Sequence, residues 1–245
     1  MVQALWIVRV FTTTELPFPA LAASFALLAV CEMAVPVWAE RPRRIAWHPH
    51  HVAERYALFT IILLGESVLA STAGVQSIIS AGASSGEFVL LAAAGLALLF
   101  GLWWVYFLEP AHEGLEKYRG RSYYWGYGHY LIFVALAAVG AGLEVSVEAV
   151  GHHVEAPTVA VAYAIAVPVA LFLVMMWVLY RPLIGPTVIP PAVSLGGAVV
   201  VLALPLATAV VPLTAVVLGI TLAVALVVAL TIVVRRPRRA SEQVA

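Results

Sequence analysis

The chain has 245 residues with 13 basic and 13 acidic side chains, so its formal net charge is zero and a nucleic-acid partner has no electrostatic support. Hydrophobic residues make up 63% of it and charged ones 11%, with a mean hydropathy of +1.01. A soluble domain is nearer half apolar and a quarter charged, so a soluble fold is excluded, and apolar runs of about 20 residues read as transmembrane helices.

Residues 1–19 form a short N-terminal segment. Its stretch MVQALWIVRVF is apolar but too short to span, and Arg9 interrupts it. No basic n-region precedes it and no small-residue cleavage site follows, so it does not read as a signal peptide. TTTELPFP is loop-like. The first span is about Ala20 to Ala39, closed by the basic loop Glu40 to Arg44. Cys31 lies in that span and excludes an internal disulfide. The segment Ile45 to His51, with HPHH, reads as a loop because Pro49 disfavours helix at His48. The second span is about Tyr56 to Ile79, followed by a polar turn, Ser84 to Glu87. The third is about Phe88 to Leu108. A long polar loop runs from Glu109 to Gly128. The fourth span is about His129 to Val150, then the loop GHHVEAP to Pro157. The fifth is about Thr158 to Tyr180, the sixth about Ala192 to Ala209, and the seventh runs from Pro212 to Val234. Residues 235–245 are a basic tail. The expectation is an all-α polytopic transmembrane helical bundle of about seven spans at 20–234, in a single transmembrane domain covering 1–245.

Charge sets the orientation. Of the 13 Lys and Arg, three fall in 41–44, one is Arg55, three fall in 117–121, one is Arg181 and four fall in 235–239. The alternate turns carry none. The positive-inside rule makes the basic side, and the C-terminus, cytoplasmic. The first span then runs from outside to inside. Because that start has no export signal, the expectation is that the chain is the C-terminal part of a longer protein or an unusual truncation.

The stretch His51 to Ser71, HVAERYALFTIILLGESVLAS, organises the rest. It opens polar with His51, Glu54 and Arg55, runs apolar from Ala57 to Leu64 with only Thr60 interrupting, and then places Gly65 and Glu66 near a bilayer midplane. On a helix, Arg55 and Glu66 lie about 20° apart in azimuth and about 16 Å apart along the axis. Glu54 in the first turn suits the helix dipole and Arg55 can snorkel to headgroups, which accounts for both charges without function. The functional reading is a cytoplasmic gate or an ion pair. A metal reading would use His48, His50, His51 and Glu54, although the pattern is neither H-E-x-x-H nor paired E-x-x-H. A carboxylate as deep as Glu66 is costly and marks a pathway or a bundle interior. Gly65 would let another helix pack closely there.

The aromatic run Trp103, Trp104, Tyr106 and Phe107, ending Glu109-Pro110, is an interface belt by default. In the rival reading Tyr106 and Glu109 join a polar cluster with His51 and Arg55, and His129 points inward at the same level. Glu144 and Glu148 share a helix face; Glu144 is the deeper of the two. His152 and His153 read as loop residues. The last three spans carry almost no ionisable groups and look like scaffold.

These residues resemble a family. HVAERYALFTIILLGESVLAS is similar to the H-x-x-E-R-x-G-L-F-x-I-I-x-L-G-E segment of the bacterial low temperature requirement protein A family. WWVYFLEP resembles its WW-x-YF stretch, and YGHYLIFVALAAVGAGLE its later Y-x-H…A-x-G-L-E helix. The motifs cover about residues 20 to 180. By this resemblance His51, Glu54, Arg55, Gly65 and Glu66 match the main motif. Trp103, Trp104 and Tyr106 match the second, and Tyr127, His129 and Glu144 the third. Ala57 stands where the family commonly has glycine, and Leu108-Glu109 stands where an acidic residue, often aspartate, closely follows YF. The family's N-terminal E-L-F-F-D-L-V-F-like helix has no counterpart here. The resemblance implies a multi-pass protein of the bacterial plasma membrane, linked by its family name to growth in the cold.

Two functional readings follow, and a third, blander one. The favoured reading is a proton- or cation-linked transporter or channel. Its pathway uses Glu66, His51, Glu54, Arg55, Tyr106, His129 and Glu144. The second is an intramembrane metal- or lipid-handling enzyme with a cytoplasmic-leaflet site of His51, Glu54, His129 and Glu109. No serine or cysteine nucleophile motif and no phosphate loop is present, and no cofactor is called for. The third is a structural or sensory membrane protein whose polar residues only hold helices together. The expected partners are the lipid bilayer, a small ion or small molecule, and a second copy of the chain. All three readings expect Glu66 to be buried among helices and are defeated if it faces lipid.

Overall fold

In a bilayer core a backbone N–H or C=O has no water to bond, so the chain satisfies both inside helices. The computed structural model describes residues 2–12, 17–40, 47–80, 86–151, 154–185 and 187–242. Of these, 12, 70, 71, 73–80 and 235–242 are described in backbone only. The basic loop 41–44, residues 84 and 85 of the polar turn, His152 and His153, and the side chains of the basic run 235–239 lie outside what is described. The chain forms two compact units, 1–47 and 48–245, taken here in turn.

The first unit is a helical pair, α1 (Val2–Thr12) and α2 (Phe18–Ala39). Its polar groups are tied across the pair. Gln3 Nε2 and Trp6 Nε1 donate to Glu32 at 2.6 and 3.2 Å. Arg9 donates to Ser24 Oγ at 3.3 Å and to the Leu21 carbonyl at 3.1 Å. Only Leu28 of α2 is buried among the described residues.

The second unit contains α3 (Pro49–Ser80), α4 (Gly86–Phe107), α5 (Ala111–Lys117), α6 (Ser122–Val150), α7 (Thr158–Ile184), α8 (Pro191–Ala203) and α9 (Leu213–Glu242). A 3₁₀ turn precedes α6 and another follows α8. Neighbouring long helices pack in the order α3–α6–α7–α8–α9–α4 and back to α3. The contacts of α4 with α6 and of α7 with α9 fill the middle of this ring. Each helix shows why it sits where it does. On α6, Trp125, His129, Ile132, Leu136, Val139, Leu143 and Ser146 recur every three or four residues, and all are buried. On α4, Leu91, Gly95, Leu98, Leu102 and Val105 do the same. α7 buries 14 residues and is the most enclosed helix of the ring.

Six of the described helical segments are long and apolar enough to cross a bilayer. The second expected span, α3, is a helix of 32 residues, about 48 Å long. Three boundaries differ from the sequence reading. α3 begins at Pro49, so His50 and His51 lie in its first turn; proline is tolerated at the first helical position, where its missing N–H has no partner to lose. The loop 109–128 contains α5 and the start of α6, which begins seven residues before His129. Beyond Val234 the backbone of α9 stays helical to Glu242.

In lipid, helices associate by close contact rather than by excluding water. On Gly140 of α6 a Cβ would stand 2.5 Å from Ser67 Oγ and 3.2 Å from Ser67 Cα, so this glycine admits α3 and sets Ser67 level with residue 140. Gly65 does not play the packing role its position suggests: no described atom lies within 4 Å of where its Cβ would be, and the residue is exposed. Gly140→Val therefore destabilises the protein by about 1–3 kcal/mol through forced separation of α3 and α6. Gly65→Ala, with open space at the new methyl, stabilises the protein by about 0.5–1 kcal/mol through helix propensity. Thermal unfolding of detergent-solubilised variants checks both.

Candidate functional site

The expected polar cluster of His51, Arg55, Tyr106 and Glu109 does not form as one group. Its members separate into different environments: Arg55 lines a cleft between α3 and α6, Tyr106 is buried, and Glu109 is held by the segment before α8, while His51 is exposed.

The buried part lies between α4 and α6. His129 is fully buried, at 0% exposure. Its Nδ1 lies 2.7 Å from the Trp125 carbonyl and its Nε2 lies 3.2 Å from Tyr106 Oη. The carbonyl can only accept, so Nδ1 carries the proton and donates, and Nε2 accepts from the Tyr106 hydroxyl. The imidazole is thus a neutral, doubly bonded group. Aromatic rings surround it: Trp125 at 4.1 Å, Tyr56 at 5.0 Å, Phe133 at 5.5 Å and Tyr180 at 6.4 Å between centroids. Tyr56, Trp125, Phe133 and Tyr180 were not singled out from the sequence. The signal for the inward turn was available: Trp125, His129 and Ile132 share the apolar stripe of α6.

Glu109 follows α4 and is buried, but not with His51. Its two oxygens accept from the backbone N–H of Val188 at 3.0 Å and of Ile189 at 2.9 Å, the segment leading into α8. Its role in the structure is to hold that connection.

The N-terminal start of α3, on the basic side of the chain, is open. His51 Nδ1 lies 3.7 Å from Glu54 Oε2, with side chains 76% and 55% exposed. The ring of His50 is 5.5 Å from His112 and 6.4 Å from His51, and His48 is 5.1 Å from His51. Among the described residues no group of three or more His, Cys, Asp or Glu side chains is arranged to hold a metal ion. A cavity of about 340 Å³ lies beside this cluster, lined among others by His50, Glu54, Tyr106, Glu109, His112 and Tyr180. It joins Glu54 and Glu109 from the enzyme reading, whereas His51 does not line it and His129 is enclosed behind Tyr106.

Glu66 corrects the sequence reading, and Glu144 shares its exposure. Both are exposed, so Glu66 is not buried among the helices of its unit. The outward stripe of α3 carries Arg55, Leu58, Phe59, Ile62, Glu66 and Leu69, all exposed. A cleft of about 310 Å³ between α3 and α6 shows which faces flank it: Arg55, Tyr56 and Phe59 on one side, Gly126, Tyr130 and Phe133 on the other. Glu66 is within about 20° of Arg55 on α3, and Glu144 is in phase with Gly126 on α6. Neither carboxyl lines this cleft; each lies on the same helix face as one of its walls but deeper, with Glu66 level with residues near Gly140 and Glu144 about one turn further from the basic side.

The fold and these features define a multi-pass membrane protein with Arg55, Glu66 and Glu144 on the outside of a helical ring and the Tyr106–His129 pair buried within it. The sequence pattern of the bacterial low temperature requirement A protein (LtrA) matches residues 1–234, and the chain belongs to that family. The match extends on both sides of the stretch that carries the motifs. Neither the curated proteins nor the solved structures contain a match to the chain.

Removing either side of the buried pair leaves an unpaired polar atom. Tyr106→Phe strips His129 Nε2 of its donor and costs about 1–3 kcal/mol, read as a lower unfolding temperature. Glu109→Ala leaves two N–H groups unpaired, and limited proteolysis then detects faster cutting near residues 185–190.

Proposed function

We propose that the protein is a proton- or cation-linked transporter of the bacterial plasma membrane, and that its pathway runs along the α3/α6 face that holds the cleft rather than through the interior of the ring. The observation that carries this is Glu66, a carboxyl at mid-membrane depth on an open helix face. A charged acidic residue at the centre of a spanning helix costs roughly 3 kcal/mol on insertion scales, so it persists where it binds a proton or a cation. The exposure of Glu66 removes the readings as the sequence framed them, each with Glu66 buried among helices, and the transport reading stands only in the changed form of a laterally open pathway. That exposure leaves the carboxyl reachable from the side, with Glu144 deeper on the α6 face that carries the other wall. Arg55 stands at the cytoplasmic mouth, with the exposed His51 and Glu54 at the same end of α3. The buried Tyr106–His129 pair takes a positioning role here: it holds α4 and α6 so that the cleft keeps its shape.

The enzyme reading retains one supporting observation, the cavity that brings His50, His112, Glu54 and Glu109 to one level. Its nearest carboxylate, Glu109, already accepts two backbone bonds, which weakens it as a base.

Proton flux into liposomes carrying the purified protein tests the proposal. Flux falls about a hundredfold in Glu66→Gln, the scale of losing one positioned proton-transfer group. Equal flux in both proteins overturns the pathway. No flux in either folded protein turns attention to the cytoplasmic cavity and to metal and lipid binding there.

A further inference from the structure

The cytoplasmic end of the α3/α6 cleft has the features of a site for one anionic phospholipid, and we propose that it holds one. The argument starts from depth. Arg55 and Gly126 are near the cytoplasmic starts of two parallel helices. Phe59 and Tyr130 lie one turn deeper, about 6 Å, and Phe133 about 10 Å below Gly126. A cation at headgroup level therefore gives way to aromatic walls at acyl level, which is the order of groups along a phospholipid.

The aromatic rings that pack α3 on α6 also form the walls of the groove. Phe59 meets Phe133 edge-on at 4.7 Å and Tyr56 stacks on Phe133 at 5.9 Å, making a continuous apolar floor. Gly126 matters because a Cβ there would stand 2.9 Å from Tyr56 Oη; its absence admits that hydroxyl beside Arg55. Arg55, Phe59 and Tyr130 are exposed. Among the described residues no carboxylate lies within 4 Å of Arg55, and neither the Tyr56 nor the Tyr130 hydroxyl has a hydrogen-bond partner. A guanidinium and two phenols thus face an open groove of about 310 Å³ with donors to spare. A phosphate takes a guanidinium in a forked pair, and the net negative headgroup matches the one cation present. An acyl chain covers Phe59 and Phe133.

The inference does not rest on transport, since a lipid seated at Arg55 needs neither Glu66 nor flux. Native mass spectrometry of the full chain in detergent tests it. Phosphatidylglycerol and phosphatidylcholine of identical chains are titrated in turn, with Arg55→Gln, Tyr130→Ala and Lys117→Gln as variants. The expected result is a preference for phosphatidylglycerol that falls about fivefold in Arg55→Gln, the effect of one basic residue at an anionic surface. Tyr130→Ala weakens both lipids, and Lys117→Gln, on the same side but away from the groove, matches the native protein. The proposal is overturned if Arg55→Gln retains the preference or Lys117→Gln loses it equally. It is also overturned if soluble glycerol phosphate displaces the lipid at matched concentration, which would mean a headgroup site without a chain, or if the lipid-free protein is a dimer through this face.

Discussion

The contact between Tyr106 and His129 fixes the structure around it. Two polar groups in a dry, apolar interior are stable only in the geometry that satisfies both, and here that geometry leaves little freedom. His129 must present Nδ1 to its own helix at Trp125 and Nε2 to α4. A sliding or rotating α4 would orphan the Tyr106 hydroxyl and the imidazole together. Apolar contacts between α4 and α6 tolerate such movement far better, because one methyl replaces another at little cost. The pair thus sets the register of the ring at its cytoplasmic end. Tyr56 packs on the far side of the same imidazole, which brings α3 under the same constraint.

With α3 held through Tyr56, its azimuth is no longer free. Tyr56 and Thr60 turn inward, and Ser67 continues that line against Gly140. Residues about 100° away must then turn out, and those residues are Arg55, Phe59, Ile62 and Glu66. The exposed carboxyl is a direct result of the buried aromatic box. One helix serves both purposes because its inward stripe is small or aromatic while its outward stripe carries every charge beyond Glu54.

Depth was legible in the sequence and azimuth was not. The apolar runs gave the helices, and helical spacing gave which residues share a stripe. Helical spacing put Arg55 and Glu66 on one stripe, where they are found. What spacing omits is which stripe faces the neighbours. A deep glutamate suggested the inside, but the closer clue lay at Tyr56, Thr60, Leu63 and Ser67, whose spacing marks a second stripe of helix-contact residues. The start of α6 was missed for a related reason. Ser122 to Gly128 is rich in tyrosine and glycine and reads as loop, yet Trp125 is fully buried and Tyr124 Oη donates to the Val178 carbonyl at 2.7 Å, so tertiary packing overrides weak local preference. Glu109 was placed at the correct depth, but its partners are backbone amides nearly 80 residues on, which no local pattern encodes.

The two charges on the outer stripe of α3 meet different physics although they share a face. At the membrane border Arg55 keeps its charge by reaching phosphates, and its long stem makes that cheap. Glu66 has a shorter side chain and sits about 16 Å deeper, where no headgroup is within reach. A carboxyl at that depth is costly unless it meets a partner, which is why the proposed pathway rests on Glu66 and not on Arg55. A lipid anchored at Arg55 and a proton or cation at Glu66 can therefore occupy one face at the same time without competing.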